Sequence, residues 1–165
     1  MAKPIIFIAG IPGTGKSSYG RWLAKAKGFT YIDMEHEDLD VQGFRPSWDE
    51  FTGASGSNRF ITELLSHPSP VCLDWGFPPQ CVPIVRRLAQ GGIDLWWFDA
   101  DEAIAKKYFL RRATVSEAAF DTQMARIESA RDQIMPLFRD HVITVITSDG
   151  VHLQNEDIYA RMFEK

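Results

Sequence analysis

Five short apolar runs punctuate the chain, and between them lie segments whose apolar positions recur at helical spacing. Pro4–Ala9 is apolar at every position, as a strand covered on both faces must be. Weaker runs follow at Phe29–Ile32, Val71–Leu73, Ile93–Phe98 (interrupted by Asp94) and Val142–Ile146. The segments between them predict helices over Lys16–Lys27, Asn58–Ser66, Val82–Gln90, Ala100–Ala113, Val115–Phe138 and Glu156–Phe163. Strands alternating with helices predict an α/β protein, a five-stranded parallel sheet with helices on both faces.

Several boundaries carry their own punctuation. Asp99 with Glu102, and Thr114 with Glu117, have the spacing of a capping box, in which the first side chain caps an orphan N–H and the glutamate reaches back. Gly28 stands where a helix C-terminal glycine would, and Pro68 and Pro70 prevent the Asn58–Ser66 helix from continuing. Phe120, Met124, Ile127, Ile134 and Phe138 form one helical seam that Arg131 interrupts, either as a snorkelling side chain or as one aimed at an anion. Residues 41–58 are the least periodic stretch, with glycines, serines and a proline around Trp48 and Phe51. Such segments in compact domains tend to be functional or mobile.

Length and composition narrow the class. A chain of 165 residues corresponds to one domain at about 150 residues per domain. Hydrophobic residues at 45% and charged residues at 24% are those of an ordinary globular protein, which excludes disorder and collagen-like repeats. The net charge of −4 argues against non-specific binding to nucleic acid or acidic membranes. Cys72 and Cys81 make no disulfide framework, and His36, His67, His141 and His152 share no metal-ligand spacing. The apolar start is too short for a secretory signal, and no run approaches the ~18 apolar residues of a membrane helix. A cytoplasmic location without membrane contact is therefore expected; the pattern leaves the oligomeric state open.

The sharpest chemical signal is Gly10-Ile11-Pro12-Gly13-Thr14-Gly15-Lys16-Ser17, a full match to Gly-x-x-x-x-Gly-Lys-Ser/Thr set between an apolar strand and an amphipathic segment. A triphosphate needs many donors close together, and glycines let the backbone turn its N–H groups inward. The positive end of the following helix dipole adds to them. Lys16 is expected to reach the β- and γ-phosphates, and the Ser17 hydroxyl to ligate Mg²⁺. The expected nucleotide site is therefore residues 10–17 with Ser18 beside them, and the expected ligands are ATP and Mg²⁺.

With this loop and layout the chain resembles the P-loop small-molecule and nucleotide kinases, a group that includes adenylate, shikimate and gluconate kinases and the kinase part of polynucleotide kinases. The resemblance spans most of the chain in layout, with specificity concentrated in the loop. It implies a three-layer P-loop fold with strand order 2-3-1-4-5, an acceptor-binding region over residues 41–66 and a lid over about residues 111–135. Val71-Cys72-Leu73-Asp74-Trp75-Gly76-Phe77-Pro78 is similar to the Asp-Gly-Phe-Pro-Arg segment of adenylate kinases with one residue inserted. By that resemblance Asp74 holds Mg²⁺, directly or through water. Asp33 closes the second strand where hydroxyl-phosphorylating members place an aspartate that binds the acceptor and takes its proton, with Glu35, His36 and Asp38 as nearby substitutes. Arg111 and Arg112 fall at the start of the lid, where arginines clamp the transferring phosphoryl group or stack on adenine. A helix C-terminus also favours basic residues there. Arg126 and Arg131 are weaker candidates. Ser148-Asp149-Gly150-Val151 resembles the loop that holds adenine.

A departure separates the alternatives. Adenylate kinases carry an arginine after Gly-Phe-Pro that meets the acceptor's phosphate, and here Pro79 stands instead. The expected function is therefore transfer of the γ-phosphate of ATP to a hydroxyl of a small molecule or nucleoside-like acceptor. A nucleoside monophosphate kinase is the alternative, with Arg45 or Arg59 supplying the phosphate contact. Trp48, Phe51 and Trp75 are expected to line the acceptor cleft, and Trp96 and Trp97 to be core. A GTPase is disfavoured because no Asn-Lys-x-Asp accompanies the stray Asp40-Val41-Gln42-Gly43. A AAA-type motor is disfavoured because Trp75 rather than a glutamate follows Asp74. A nucleotide-binding regulatory module without turnover is the alternative from another class.

Overall fold

The computed structural model describes residues 2–112 and 114–164, and its centre is a parallel sheet of five strands in the order β2-β3-β1-β4-β5. The strands are β1 (Ile5–Gly10), β2 (Thr30–Asp33), β3 (Val71–Asp74), β4 (Asp94–Asp99) and β5 (Val142–Thr144). All five predicted strands are present. β1 is central because it is apolar throughout, and it pairs with β3 from Ile5↔Val71 to Ile8↔Asp74 and with β4 from Ile6↔Asp94 to Gly10↔Phe98.

Side chains alternate along each strand, so β1 to β4 each feed two cores, while β5 adds only Ile143 to one of them. Ile6 and Ile8 join Trp96 and Phe98 against α1 (Lys16–Lys27) and the C-terminal helix α9 (Asn155–Phe163), through Tyr19, Leu23, Ile158 and Met162. Ile5, Phe7 and Ala9 join Leu73 and Trp97 on the other face. There they meet α2 (Asp38–Val41), α3 (Arg45–Thr52), α4 (Arg59–Leu65), α5 (Val82–Gln90), α7 (Glu117–Ser129) and α8 (Arg131–Ile134). The intervening helix α6 (Glu102–Leu110) divides its apolar residues between the two cores.

Three expectations from the sequence are corrected. Residues 41–58 are not wholly irregular: Arg45–Thr52 is helical, begins with Pro46 in its first turn, and buries Ser47, Trp48 and Phe51. The long helix over Val115–Phe138 is broken. Ala130 leaves helical geometry at φ −123° and ψ 13°, and after α8 the chain tightens into a 3₁₀ turn over Met135–Phe138 that contains Pro136, which has no N–H to donate. The caps of α6 and α7 are Asp101, accepting from the Ile104 N–H, and Ser116, accepting from the Ala119 N–H (3.2 Å each), rather than Asp99 and Thr114. Asp99 belongs to β4, where its carbonyl accepts from the Val145 N–H. Ala113, the expected end of α6, lies outside the described residues.

Other punctuation acts as read. Gly28 caps α1 at φ 74° and its segment turns straight into β2. Arg131 turns outward to pair with Glu128. No helix among the described residues is long and apolar enough to cross a membrane.

Candidate functional site

β1 and β3 are neighbours in the sheet, yet the chain leaves β1 toward α1 on one face and β3 toward α5 on the other. This divergence opens a crevice at the carboxyl ends of the strands, where α/β proteins bind ligands. Here it is a cavity of about 400 Å³. Gly10, Pro12, Gly13, Gly15, Lys16 and Ser17 form one wall.

The glycines of this wall are required by close approach. A Cβ on Gly10 would stand 2.2 Å from the Phe98 carbonyl oxygen, and one on Gly13 would stand 2.2 Å from that of Ala105, at φ of 152° and 84°. The loop is therefore pressed against β4 and α6. Ile11 and Thr14 brace it from behind: the Ile11 N–H donates to the Phe98 carbonyl (3.2 Å), and the buried Thr14 hydroxyl donates to the Ile11 carbonyl (2.8 Å). Ser18 lies exposed on α1 and does not border the cavity.

Lys16 folds over the loop, with Nζ donating to the carbonyls of Ile11 (3.2 Å) and Gly10 (3.5 Å). Burial pulls this ammonium below the ordinary lysine range and Arg112 pulls it further, against the opposing charges of Asp74 and Glu35. Ser17 Oγ donates to Asp74 Oδ2 at 2.9 Å, and the Tyr31 hydroxyl donates to the same oxygen at 2.6 Å. Asp74 is 5% exposed, so a buried carboxylate is held against the Ser17 hydroxyl.

A second wall is acidic. Asp33 and Asp74 are register partners at the ends of β2 and β3, and Glu35 follows two residues on, its N–H donating to Asp33 Oδ1 (3.0 Å). All three side chains border the cavity. Burial lifts Glu35 above the ordinary carboxylate range; Asp33 and Asp74 lift it further, and Lys16 and His36 oppose. Of the other substitutes, Asp38 is used up in closing the turn, accepting from the Asp33 N–H (2.8 Å), and His36 points into solvent 3.5 Å from Asp33.

The paired arginines part company. Arg112 borders the cavity near Lys16, whereas the Arg111 guanidinium stacks 4.3 Å over the Tyr108 ring. Tyr108 donates to the Gly150 carbonyl (2.7 Å), which ties α6 to the turn at Ser148–Val151. His152, unmarked by any sequence motif, reaches back to the phosphate loop: Nε2 donates to the Thr14 carbonyl at 2.8 Å, and a Cβ on Gly15 would stand 3.0 Å from the same nitrogen. Tyr31 and His152 were both missed because each acts through a fold contact rather than a spacing.

Gln123, Arg126 and Ile127 present one face of α7 to the cavity. Arg45 and Arg59 do not. Arg45 pairs with Asp40 and Asp49, and Arg59 with Glu50 and Glu63. No residue of 41–66 borders the cavity. Trp48 and Phe51 are buried, and Trp75 packs edge-on to Trp48, so these aromatics form core instead of cleft. Trp97 is core as expected but also borders the cavity.

No protein-family model matches the chain, nor does any curated protein sequence. Solved structures do. The shikimate kinase from Acinetobacter baumannii in complex with shikimate superposes with a TM-score of 0.59 at 20% identity, covering 97% of this chain and 93% of that one. The tunicamycin resistance protein of Deinococcus radiodurans gives 0.55 at 20%, covering 99% and 97%, and the gluconokinase from Sinorhizobium meliloti 1021 gives 0.53 at 18%, covering 95% and 87%. At these identities the likeness is one of fold, and the fold is that of the P-loop small-molecule kinases the sequence resembles.

Proposed function

We propose that this chain is a kinase that moves the γ-phosphoryl group of ATP onto a hydroxyl of a small-molecule acceptor. One observation carries the reading: the phosphate loop, the Ser17–Asp74 pair and the Asp33–Glu35 pair all border a single cavity. Polyphosphate donors and hydroxyl-binding carboxylates within one crevice suit in-line transfer, which depends on positioning and charge. Two structural neighbours, a shikimate kinase and a gluconokinase, are enzymes named for small-molecule acceptors.

The residues take the following parts. The loop amides from Gly10 to Ser17 hold the phosphates, with Lys16 on the transferring end. Ser17 and Asp74 fit a hard cation that prefers oxygen ligands and keeps several waters; among the described residues no cluster of three His, Cys, Asp or Glu competes as a metal cage. Mg²⁺ held by Ser17 and Asp74 would neutralise phosphate charge. Asp33 and Glu35 orient the acceptor hydroxyl, whose oxygen bonds to the γ-phosphorus as the bond to the β–γ bridging oxygen breaks. Its proton passes to the carboxylate, and Glu35 suits that role because burial raises it above the ordinary carboxylate range. Arg112 and Arg126 belong to a lid over about residues 111–135, with Arg112 placed to meet charge that develops on the γ-oxygens. Arg111, stacked on the Tyr108 ring whose hydroxyl donates to the Gly150 carbonyl, belongs to the adenine side.

A hydroxyl acceptor is favoured over a nucleoside monophosphate because Arg45 and Arg59 are committed to ion pairs away from the cavity. The test is acceptor-dependent ADP release with Mg-ATP over a panel of sugars, nucleosides, nucleotides and amino alcohols. Asp33→Asn should abolish release and preserve ATP affinity, and Lys16→Ala should impair both. A chain that binds ATP but shows no acceptor-dependent release with any member of the panel is a regulatory module instead.

A further inference from the structure

His152 lies between β5 and α9 and does not border the cavity, yet its ring Nε2 donates to the Thr14 carbonyl at 2.8 Å, inside the phosphate loop. The segment that carries it is braced. The Leu153 N–H donates to the Val145 carbonyl (2.7 Å), the Thr147 N–H to the Val151 carbonyl (2.8 Å), and the Tyr108 hydroxyl to the Gly150 carbonyl (2.7 Å). The Tyr108 ring also meets the imidazole edge-on at 6.0 Å. A turn with little freedom of its own therefore sets the place of the imidazole.

What the imidazole holds is a peptide unit that is otherwise free to rotate. Thr14 is buried and its hydroxyl is committed to the Ile11 carbonyl, but the next residue is Gly15, at φ 81°. A peptide turns over by changing ψ of the residue before it and φ of the residue after it, and glycine accepts either sign of φ. A turned-over Thr14–Gly15 peptide would put a carbonyl oxygen where an N–H now stands. Phosphate oxygens are repelled by the first and bound by the second.

The peptide is trans, so its C=O and N–H point opposite ways. The carbonyl meets His152, and the N–H is directed away from it. Gly15 borders the cavity, whereas Thr14 and His152 do not. Among the described residues, no backbone carbonyl accepts from the Gly15 N–H. A side chain at this position cannot stiffen the loop, because a Cβ on Gly15 would stand 3.0 Å from His152 Nε2. The restraint comes instead from across the contact.

We infer that His152 is a positioning residue: by holding the Thr14 carbonyl, it keeps the Gly15 N–H turned into the cavity as a donor to a phosphate oxygen. The inference rests on the proposed function only in that the loop binds a polyphosphate, and it needs no transfer step.

Pyrophosphate and ADP are the probes, and the backbone amide of Gly15 in the ¹⁵N-labelled chain is the reporter. In the wild type both probes should move the Gly15 amide proton downfield, as a new hydrogen bond does. His152→Phe keeps an aromatic ring without its donor, and should weaken both probes about fivefold by calorimetry and shrink the Gly15 shift. His152→Gln, whose side-chain amide can donate to the same carbonyl, should restore affinity to within about twofold of wild type. Wild-type chain that binds the probes with the Gly15 amide unmoved overturns the inference. So does a folded His152→Phe chain that matches wild type, or a His152→Gln chain that binds no better than His152→Phe. Should His152→Phe not fold, His152→Ala takes its place with the same expected losses. Failure of the proposed function reads differently: a chain that binds neither probe lacks the polyphosphate site itself, and one that binds both without acceptor-dependent ADP release from Mg-ATP lacks only the transfer.

Discussion

The two ends of the cavity are built on opposite principles. The phosphate end is one stretch of eight residues, Gly10–Ser17, that contributes backbone amides, and its glycines are fixed by the approach of Phe98 and Ala105 carbonyls. The acceptor end gathers side chains from β1, the β2–α2 turn, the segment after β3, β4, α7 and α8. Backbone donors at a helix start bind any polyphosphate, because every such ligand presents the same oxygens. Side chains drawn from six places vary independently, so under the proposed function this is where one acceptor would be told from another. The proposed function thus assigns general chemistry to the contiguous half and selectivity to the assembled half.

Mutations break the comparison at its strongest point first. Lys16→Ala should lower ADP release by about 10³-fold for every acceptor alike, since it removes charge stabilisation at the transferring phosphate; a loss confined to one acceptor would place Lys16 in the selective half. Next, Glu35→Gln should lower turnover by about 10²-fold with ATP affinity intact, as expected for a general base. The pH profile sharpens this assignment. Because the folded Glu35 carboxyl titrates above its ordinary value of 4.5, kcat/KM should rise with pH through that higher value, and Glu35→Gln should lose this limb. Lys16 is held below its ordinary 10.5, so the alkaline fall should begin below that value as the ammonium loses its proton.

Smaller effects mark the periphery. His152→Ala removes the bond to the Thr14 carbonyl and should cost about 1 kcal/mol of stability, with ATP binding weakened severalfold, by thermal melts and calorimetry. Arg59→Ala should change the acceptor KM by less than about twofold, since its charge is spent on Glu50 and Glu63 at the surface. A large rise there would return residues 41–66 to the acceptor site.

Much of the architecture was legible because its signals are local. An uninterrupted apolar run reads as a doubly covered strand, and four of the five strands and four of the helices fall within a residue of their expected bounds, the last strand ending two residues early at Thr144. The breaks were less visible. Nothing in the identity of Ala130 announces that the helix stops there, because its backbone angles answer to the packing of α7 and α8 on the sheet. Arg45–Thr52 was obscured by surrounding glycines and serines, although Trp48 and Phe51 lie three residues apart on one buried face.

The site divides in the same way. The eight-residue loop and the strand-end aspartates could be read from the chain because strand, loop and helix in succession dictate where their backbone goes. Which tryptophan faces the cavity, which arginine of an adjacent pair turns inward, and which carboxylate is lifted above its ordinary range were decided only in three dimensions. Sequence spacing sets the direction of a side chain relative to its own element. What that side chain meets depends on elements distant in the chain, and both hydrogen bonding and desolvation are properties of that meeting.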